Sequence, residues 1–128
     1  MDKRNILSVK NLEKIYVNSD APNTHALNNL NLDVKEGEIF GLLGPNGAGK
    51  TTFINILAGT TVKSSGQVTV WGFDLDKNPR QVKASIGIVP QDIHLDPFFS
   101  PTLLLALQAG LYGLTHNAKI SDPTVQSI

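Results

Sequence analysis

A chain of 128 residues with 41% hydrophobic side chains has the size and apolar content of one ordinary globular domain. Its 11 acidic and 11 basic residues cancel, which excludes a strong net field toward nucleic acid or anionic lipid. Without cysteine there is no disulfide or thiolate metal site, no apolar run approaches the ~18 residues of a bilayer span, and MDKRNILSVK has no apolar core behind its basic residues, so neither a secretory signal nor a membrane helix is expected and the chain reads as cytoplasmic.

The predicted elements begin with strands. ILSVK (6–10) and KIYV (14–17) alternate, and NSDAPNTHA (18–26) carries the Asn, Asp and Pro of a turn. ALNNLNLDV (26–34) fits a strand with one irregularity, closed by the turn KEGE around Gly37. IFGLL (39–43) is too short for a helix and suits a strand buried on both faces. Phe53, Ile54, Ile56 and Leu57 have helical spacing after Lys50, and Gly59 is placed to end that helix. QVTVWG (67–72) reads as a strand, NPRQVKASI (78–86) as a short helix with Pro79 in its first turn, and IGIV (86–89) as another buried strand. PTLLLALQAGLYG (101–113) predicts a helix with Ser100 as cap and Pro101 first, its leucines leaving little polar face. After Asp96 only Lys119 and Asp122 are charged, fewer than a stable surface usually carries, so the tail is expected to pack on something further or to be poorly ordered.

Strand, glycine loop, helix, strand is an α/β order, with an antiparallel β-rich portion in front. The loop itself, GPNGAGKTT over 44–52, has the P-loop spacing of Gly44, four residues, then Gly49, Lys50 and Thr51. Gly47 and Gly49 permit backbone angles that turn successive N–H groups toward phosphate oxygens. A helix starting at Lys50 would add its positive end, Lys50 would reach the β- and γ-phosphates, and the Thr51 hydroxyl would face Mg2+. The competing view, a glycine-rich turn that binds nothing, lacks the flanking strand and helix as an explanation.

Beyond that loop, EIFGLLGPNGAGKTT with ALNNLNLDVKEG ahead of it, then SSGQVTVWG and IGIVPQ, resembles the nucleotide-binding domains of ABC transporters over about residues 6 to 113. LQAGLYGL is similar to drug- or polysaccharide-export members of that family. The resemblance implies an N-terminal antiparallel β-subdomain joined to a partial P-loop NTPase core over 1–96, with the start of a helical subdomain over 97–128. It further implies ATP and Mg2+ as cofactors, held by Gly44, Pro45, Asn46, Gly47, Ala48, Gly49, Lys50, Thr51 and Thr52, with Thr52 at the α-phosphate unless it merely caps the helix. By the same resemblance Tyr16 stacks on adenine, and Gln91 approaches Mg2+ and the attacking water; a plain strand tyrosine and a solvated loop glutamine are the competing views. The implied partners are a transmembrane permease subunit and a second nucleotide-binding domain, at the inner face of the cell membrane.

Other residues carry less. His25, His94 and His116 have no metal spacing, and Trp71 and Phe73 are expected to pack. SSGQ (64–67) has one glycine and lies between the P-loop helix and a strand, so it is no match for the family's LSGGQ signature. That signature, an apolar strand ending in a Walker B Asp, the adjacent catalytic Glu and the switch His do not occur after Gln91, and SDPTVQSI stands where a helical subdomain would continue. The sequence thus reads as the N-terminal portion of an ABC ATP-binding domain with a truncated tail, gripping Mg-ATP with little hydrolysis of its own. The rival readings are a non-catalytic fragment docking on a partner through PFFSPTLLLALQ, and a small kinase or GTPase, which the missing Walker B Asp disfavours.

Overall fold

Where two short strands were expected, residues Asn5–Tyr16 form one strand, β1, in a computed structural model that describes residues 4–89 and 98–113. It stays continuous because a bulge absorbs the break in alternation. From Val9↔Leu32 to Leu12↔Leu30 the register advances three residues on β1 and two on β2 (Thr24–Lys35). Asn11 takes the extra step at φ 49, in a region asparagine tolerates, and its N–H donates to Asn31 Oδ1 at 2.8 Å. Val9 and Leu12 would face opposite sides of a regular strand; the bulge turns both into the core, where they are 2% and 0% exposed.

The expected irregularity in β2 is present at Asn29, φ 52, and a further one follows at Ala26, between the pairs Leu27↔Lys14 and His25↔Ile15. β3 (Ser65–Val70) lies on the other side of β1, and Gly66 at φ 88 crosses the Asn11 bulge so closely that a Cβ would meet the Asn11 carbonyl oxygen at 2.3 Å. Trp71 and Gly72, at φ 51 and 83, make the two-residue turn into β4 (Phe73–Asp74) that a twisted hairpin favours. The sheet is antiparallel throughout, in the order β2-β1-β3-β4.

Helix α1 (Lys50–Ala58) covers this sheet with Phe53 and Ile56, and ends at Gly59, φ 71, as expected. α2 (Pro79–Ala84) is shorter than the predicted 78–86 and buries Val82 completely. Together with Leu27, Val68 and Val70 these residues make one apolar cluster. Four antiparallel strands and covering helices give the α/β class expected for the front of the chain.

Two strand expectations fail. Residues 39–43 have no regular structure: Ile39 and Leu43 are essentially fully exposed at 103% and 93%. Residues 86–89 likewise form no strand. A strand buried on both faces needs parallel neighbours and a helix layer on each side. Among the described residues the one sheet is the antiparallel sheet, whose edges pair with neither segment.

The chain divides into two compact units, Met1–Ile88 and Val89–Ile128. In the second, α3 (Pro101–Leu111) starts as expected with Ser100 Oγ accepting from the Leu103 N–H at 3.3 Å and Pro101 in the first turn, and it stops two residues short of the predicted end. No helix among the described residues is long and apolar enough to cross a membrane.

Candidate functional site

The loop from Gly44 to Gly49 closes on itself before α1 begins. Ala48 N–H donates to the Pro45 carbonyl at 3.2 Å, and Gly47 and Gly49 both stand at φ 85. The first helical bond follows at once, from Phe53 N–H to the Gly49 carbonyl at 2.9 Å. With glycine as N-cap no side chain accepts from the first turn, and no acidic residue occupies that turn. Helix α1 therefore presents uncapped amide donors and the positive end of its dipole at the loop. That is the arrangement an anion of several oxygens requires.

Lys50 is half-buried and its Nζ donates to the Gly44 carbonyl and, at 2.7 Å, to the Pro45 carbonyl. The ammonium thus ties the start of the loop to the start of the helix and stays within the loop's span. Thr51 is exposed and Thr52 half-buried at the helix start, while Pro45, Asn46 and Ala48 line the exposed outside of the turn. No cluster of three His, Cys, Asp or Glu side chains exists among the described residues, so a cation here would rely on Thr51 and on oxygens brought by the ligand.

What holds the loop to the sheet is Gly49. A Cβ there would lie 2.2 Å from the Ala26 carbonyl oxygen and 2.8 Å from Leu27 Cδ2. Ala26 is the residue that the β2 bulge leaves without a partner, so its backbone is placed against the loop instead of in the ladder. Two residues earlier, Thr24 pairs with Tyr16, the last residue of β1. The hairpin end carrying Tyr16 and the glycine loop are thereby anchored to the same short piece of β2. Tyr16 is 40% exposed, and Lys14 Nζ sits 4.8 Å from the centroid of its ring.

Sequence reasoning placed Tyr16 and Gly44 to Thr52 in one site, and the fold brings them to one end of the β1–β2 hairpin. Gln91 lies outside the described residues, as do His94 and His116. The missed features are Lys14 and Ala26. The first could be found from its spacing two before Tyr16, on the same strand face; the second depends on a register step that local sequence does not encode. Trp71 and Phe73 are 37% and 39% exposed, more open than packing residues should be. Arg4 accounts for the first, lying 5.8 Å from the Trp71 ring centroid and donating to the Trp71 carbonyl at 3.0 Å. SSGQ serves the sheet: Ser64 Oγ accepts from the Ile15 N–H at 2.9 Å and Ser65 Oγ donates to Glu13 Oε2 at 3.0 Å.

Known proteins resemble this arrangement. A family profile described as ABC transporter matches residues 27–122. The linearmycin resistance ATP-binding protein LnrL of Bacillus subtilis is 39% identical over 111 residues, covering 87% of this chain and 34% of that protein. The Nod factor export ATP-binding protein I of Cupriavidus metallidurans is 38% identical over 118 residues, covering 91% of this chain and 37% of that protein. Among solved structures, a dimeric ATP-binding cassette in a post-hydrolysis state bound to ADP and Pi superposes with a TM-score of 0.73 at 25% identity, over 88% of this chain and 52% of that one. This chain spans well under half the length of these curated relatives.

Proposed function

This chain belongs to the ABC transporter family, and we propose that residues Gly44 to Thr52 hold the phosphates of Mg-ATP while Tyr16 stacks on the adenine. The observation that carries the reading is the uncapped start of α1 behind Gly47 and Gly49, with the Lys50 ammonium at the same place. The amides of the loop and first helical turn bind the β-phosphate, and Lys50 exchanges loop carbonyls for β- and γ-oxygens. Thr51 would hold Mg2+ through its hydroxyl, Thr52 would donate to the α-phosphate, and Gln91 would serve the metal and the attacking water. Magnesium supplies charge neutralisation at the β- and γ-oxygens when bound. The cassette bound to ADP and Pi supports a nucleotide in this fold.

In this reading residues 1–96 are a β-subdomain with the P-loop part of the cassette, and 97–128 begin its helical subdomain. The whole protein is an ATPase that drives a membrane permease as a pair of ATP-binding domains, at the cytoplasmic face. The dimeric cassette supports the pairing, and the names of the resistance and export relatives, with LQAGLYGL, favour an exporter. Residues 1–128 contain no Walker B carboxylate and no catalytic Glu, so in this reading they hold ATP with little or no hydrolysis of their own.

A second reading, docking on a permease or other subunit through PFFSPTLLLALQ, draws on Leu103 and Leu107, spaced one turn apart on α3 and exposed at 44% and 52%. Calorimetry of Mg-ATP with the purified chain and with Lys50→Ala separates the two. The ATP reading expects an affinity loss of about tenfold or more from the missing charge-assisted bonds, with no phosphate released by either protein. Equal affinity in both proteins would leave only the docking reading, and phosphate release dependent on Lys50 would overturn the claim that these residues do not hydrolyse.

A further inference from the structure

We propose that Lys14 is a positioning residue for the nucleotide base, covering one face of the Tyr16 ring so that the purine stacks on the other; this rests on the nucleotide reading above. Lys14 and Tyr16 stand two apart in β1 and therefore share one face of the strand. The ammonium lies 4.8 Å from the ring centroid, within the range where a cation is drawn to the negative face of an aromatic ring. No carboxylate pairs with Lys14 among the described residues, and the neighbouring Glu13 is engaged by the Ser65 hydroxyl. The ring contact is thus what engages that charge.

A second cation–ring pair among the described residues shows what a structural one looks like. There Arg4 also donates to the Trp71 carbonyl at 3.0 Å and fastens the β3–β4 turn to β1. Among the described residues the Lys14 ammonium fastens no backbone. The partner of Lys14 across the ladder is Leu27, next to the Ala26 carbonyl that abuts Gly49, while Tyr16 pairs with Thr24. The cation thus reaches the ring from two residues back along β1, and Tyr16 stays 40% exposed. A half-open tyrosine at a strand end would otherwise rotate among its wells, and holding it in one orientation removes part of the ordering cost of stacking. A second planar group then has one face left to occupy. The base of a nucleoside triphosphate, with its phosphates on the glycine loop, fits that vacancy of shape and chemistry.

The test compares Mg-ATP with inorganic tripolyphosphate plus Mg2+, titrated into the full chain carrying Lys14→Ala, Lys14→Arg, Tyr16→Ala, or Lys14→Ala with Tyr16→Ala. Lys14→Ala is expected to weaken ATP about two- to fivefold and to leave tripolyphosphate unchanged, which also certifies that the loop is folded. Arginine restores ATP affinity, because it too covers an aromatic face. In the Tyr16→Ala background, removing Lys14 adds no further loss. Equal losses for ATP and tripolyphosphate would overturn the proposal by placing Lys14 on the phosphates, and so would unchanged ATP affinity or additive losses in the double variant. If the unsubstituted chain bound neither ligand, the nucleotide reading would fall and this one with it; every other adverse result strikes the Lys14 proposal alone.

Discussion

Gly47 and Gly49 share a backbone angle, φ 85, yet they are held to glycine by different forces. At Gly47 nothing lies within 4 Å of an added Cβ, so alanine meets only the cost of the left-handed conformation, about 1 kcal/mol. At Gly49 the same methyl would enter the Ala26 carbonyl oxygen at 2.2 Å, and backbone cannot rotate aside as a side chain does. Gly49→Ala is expected to destabilise the chain by about 3 kcal/mol and Gly47→Ala by about 1 kcal/mol, read from urea unfolding midpoints at constant slope. Equal costs would mean that the loop does not rest on β2. The need for glycine at both positions was legible in the motif. Its second cause at Gly49 was not, because Ala26 meets the loop only through a bulge whose register is set by the partner strand. The resemblance singled out Tyr16, and for Lys14 the one signal was its place two residues earlier in β1, since a lysine in an alternating strand is otherwise an ordinary outward residue.

At the scale of elements, irregular positions in the strands do more than the regular ones. The asparagines of ALNNLNLDV could be read as an interruption, and Asn29 and Asn31 support the bulges that let β1 run unbroken past Asn11. Local spacing suggested two strands because the alternation truly breaks there; only the pairing with β2 and the tight crossing of Gly66 join the halves. The exit of β4 depends on a charge. Asp74 accepts from Gln67 Nε2 at 3.3 Å and from the N–H groups of Asp76 and Lys77 at 2.9 and 3.2 Å, bonds that favour its ionised form and lower its pKa. A carboxyl whose pKa is lowered by folding adds stability above its unfolded value, near 3.8, and that contribution is lost as pH falls through the lower folded value. Asp74→Ala should therefore melt at a lower temperature than the parent at pH 7, with the two curves converging as pH drops below about 4. A constant gap across that range would assign the effect to lost packing of the turn. α1 was legible from helical spacing, α2 from Pro79 in its first turn, and the Ser100 cap of α3 from its own residue and Pro101.

Among the described residues of Met1–Ile88, the core is one cluster between an antiparallel sheet and two short helices, and of the apolar stretch IFGLL only Leu42 packs against it. IFGLL has strand composition, but a strand is completed by neighbours, and among the described residues none stands beside it. The sequence could signal its tendency without signalling whether the pairing exists. Exposed side chains such as Ile39 and Leu43 are expected to drive self-association. Replacing both by lysine should lower light scattering on concentration while shifting unfolding free energy by no more than about 0.5 kcal/mol, as exposed sites do. A loss of several times that amount would show the segment to be packed in solution. A cooperative melt above about 60 °C for the chain alone would equally contradict so small a core.

The bulge at Ala26 has a further consequence. It fixes a length. The end of the hairpin at Thr24 and Tyr16 and the resting point of the glycine loop at Ala26 are separated by two residues of a single strand, about 7 Å of backbone. For the nucleotide proposed above, the strand would act as a ruler between adenine and phosphate: one added residue between Thr24 and Ala26 would set the two ends at a spacing that nucleotide could not match.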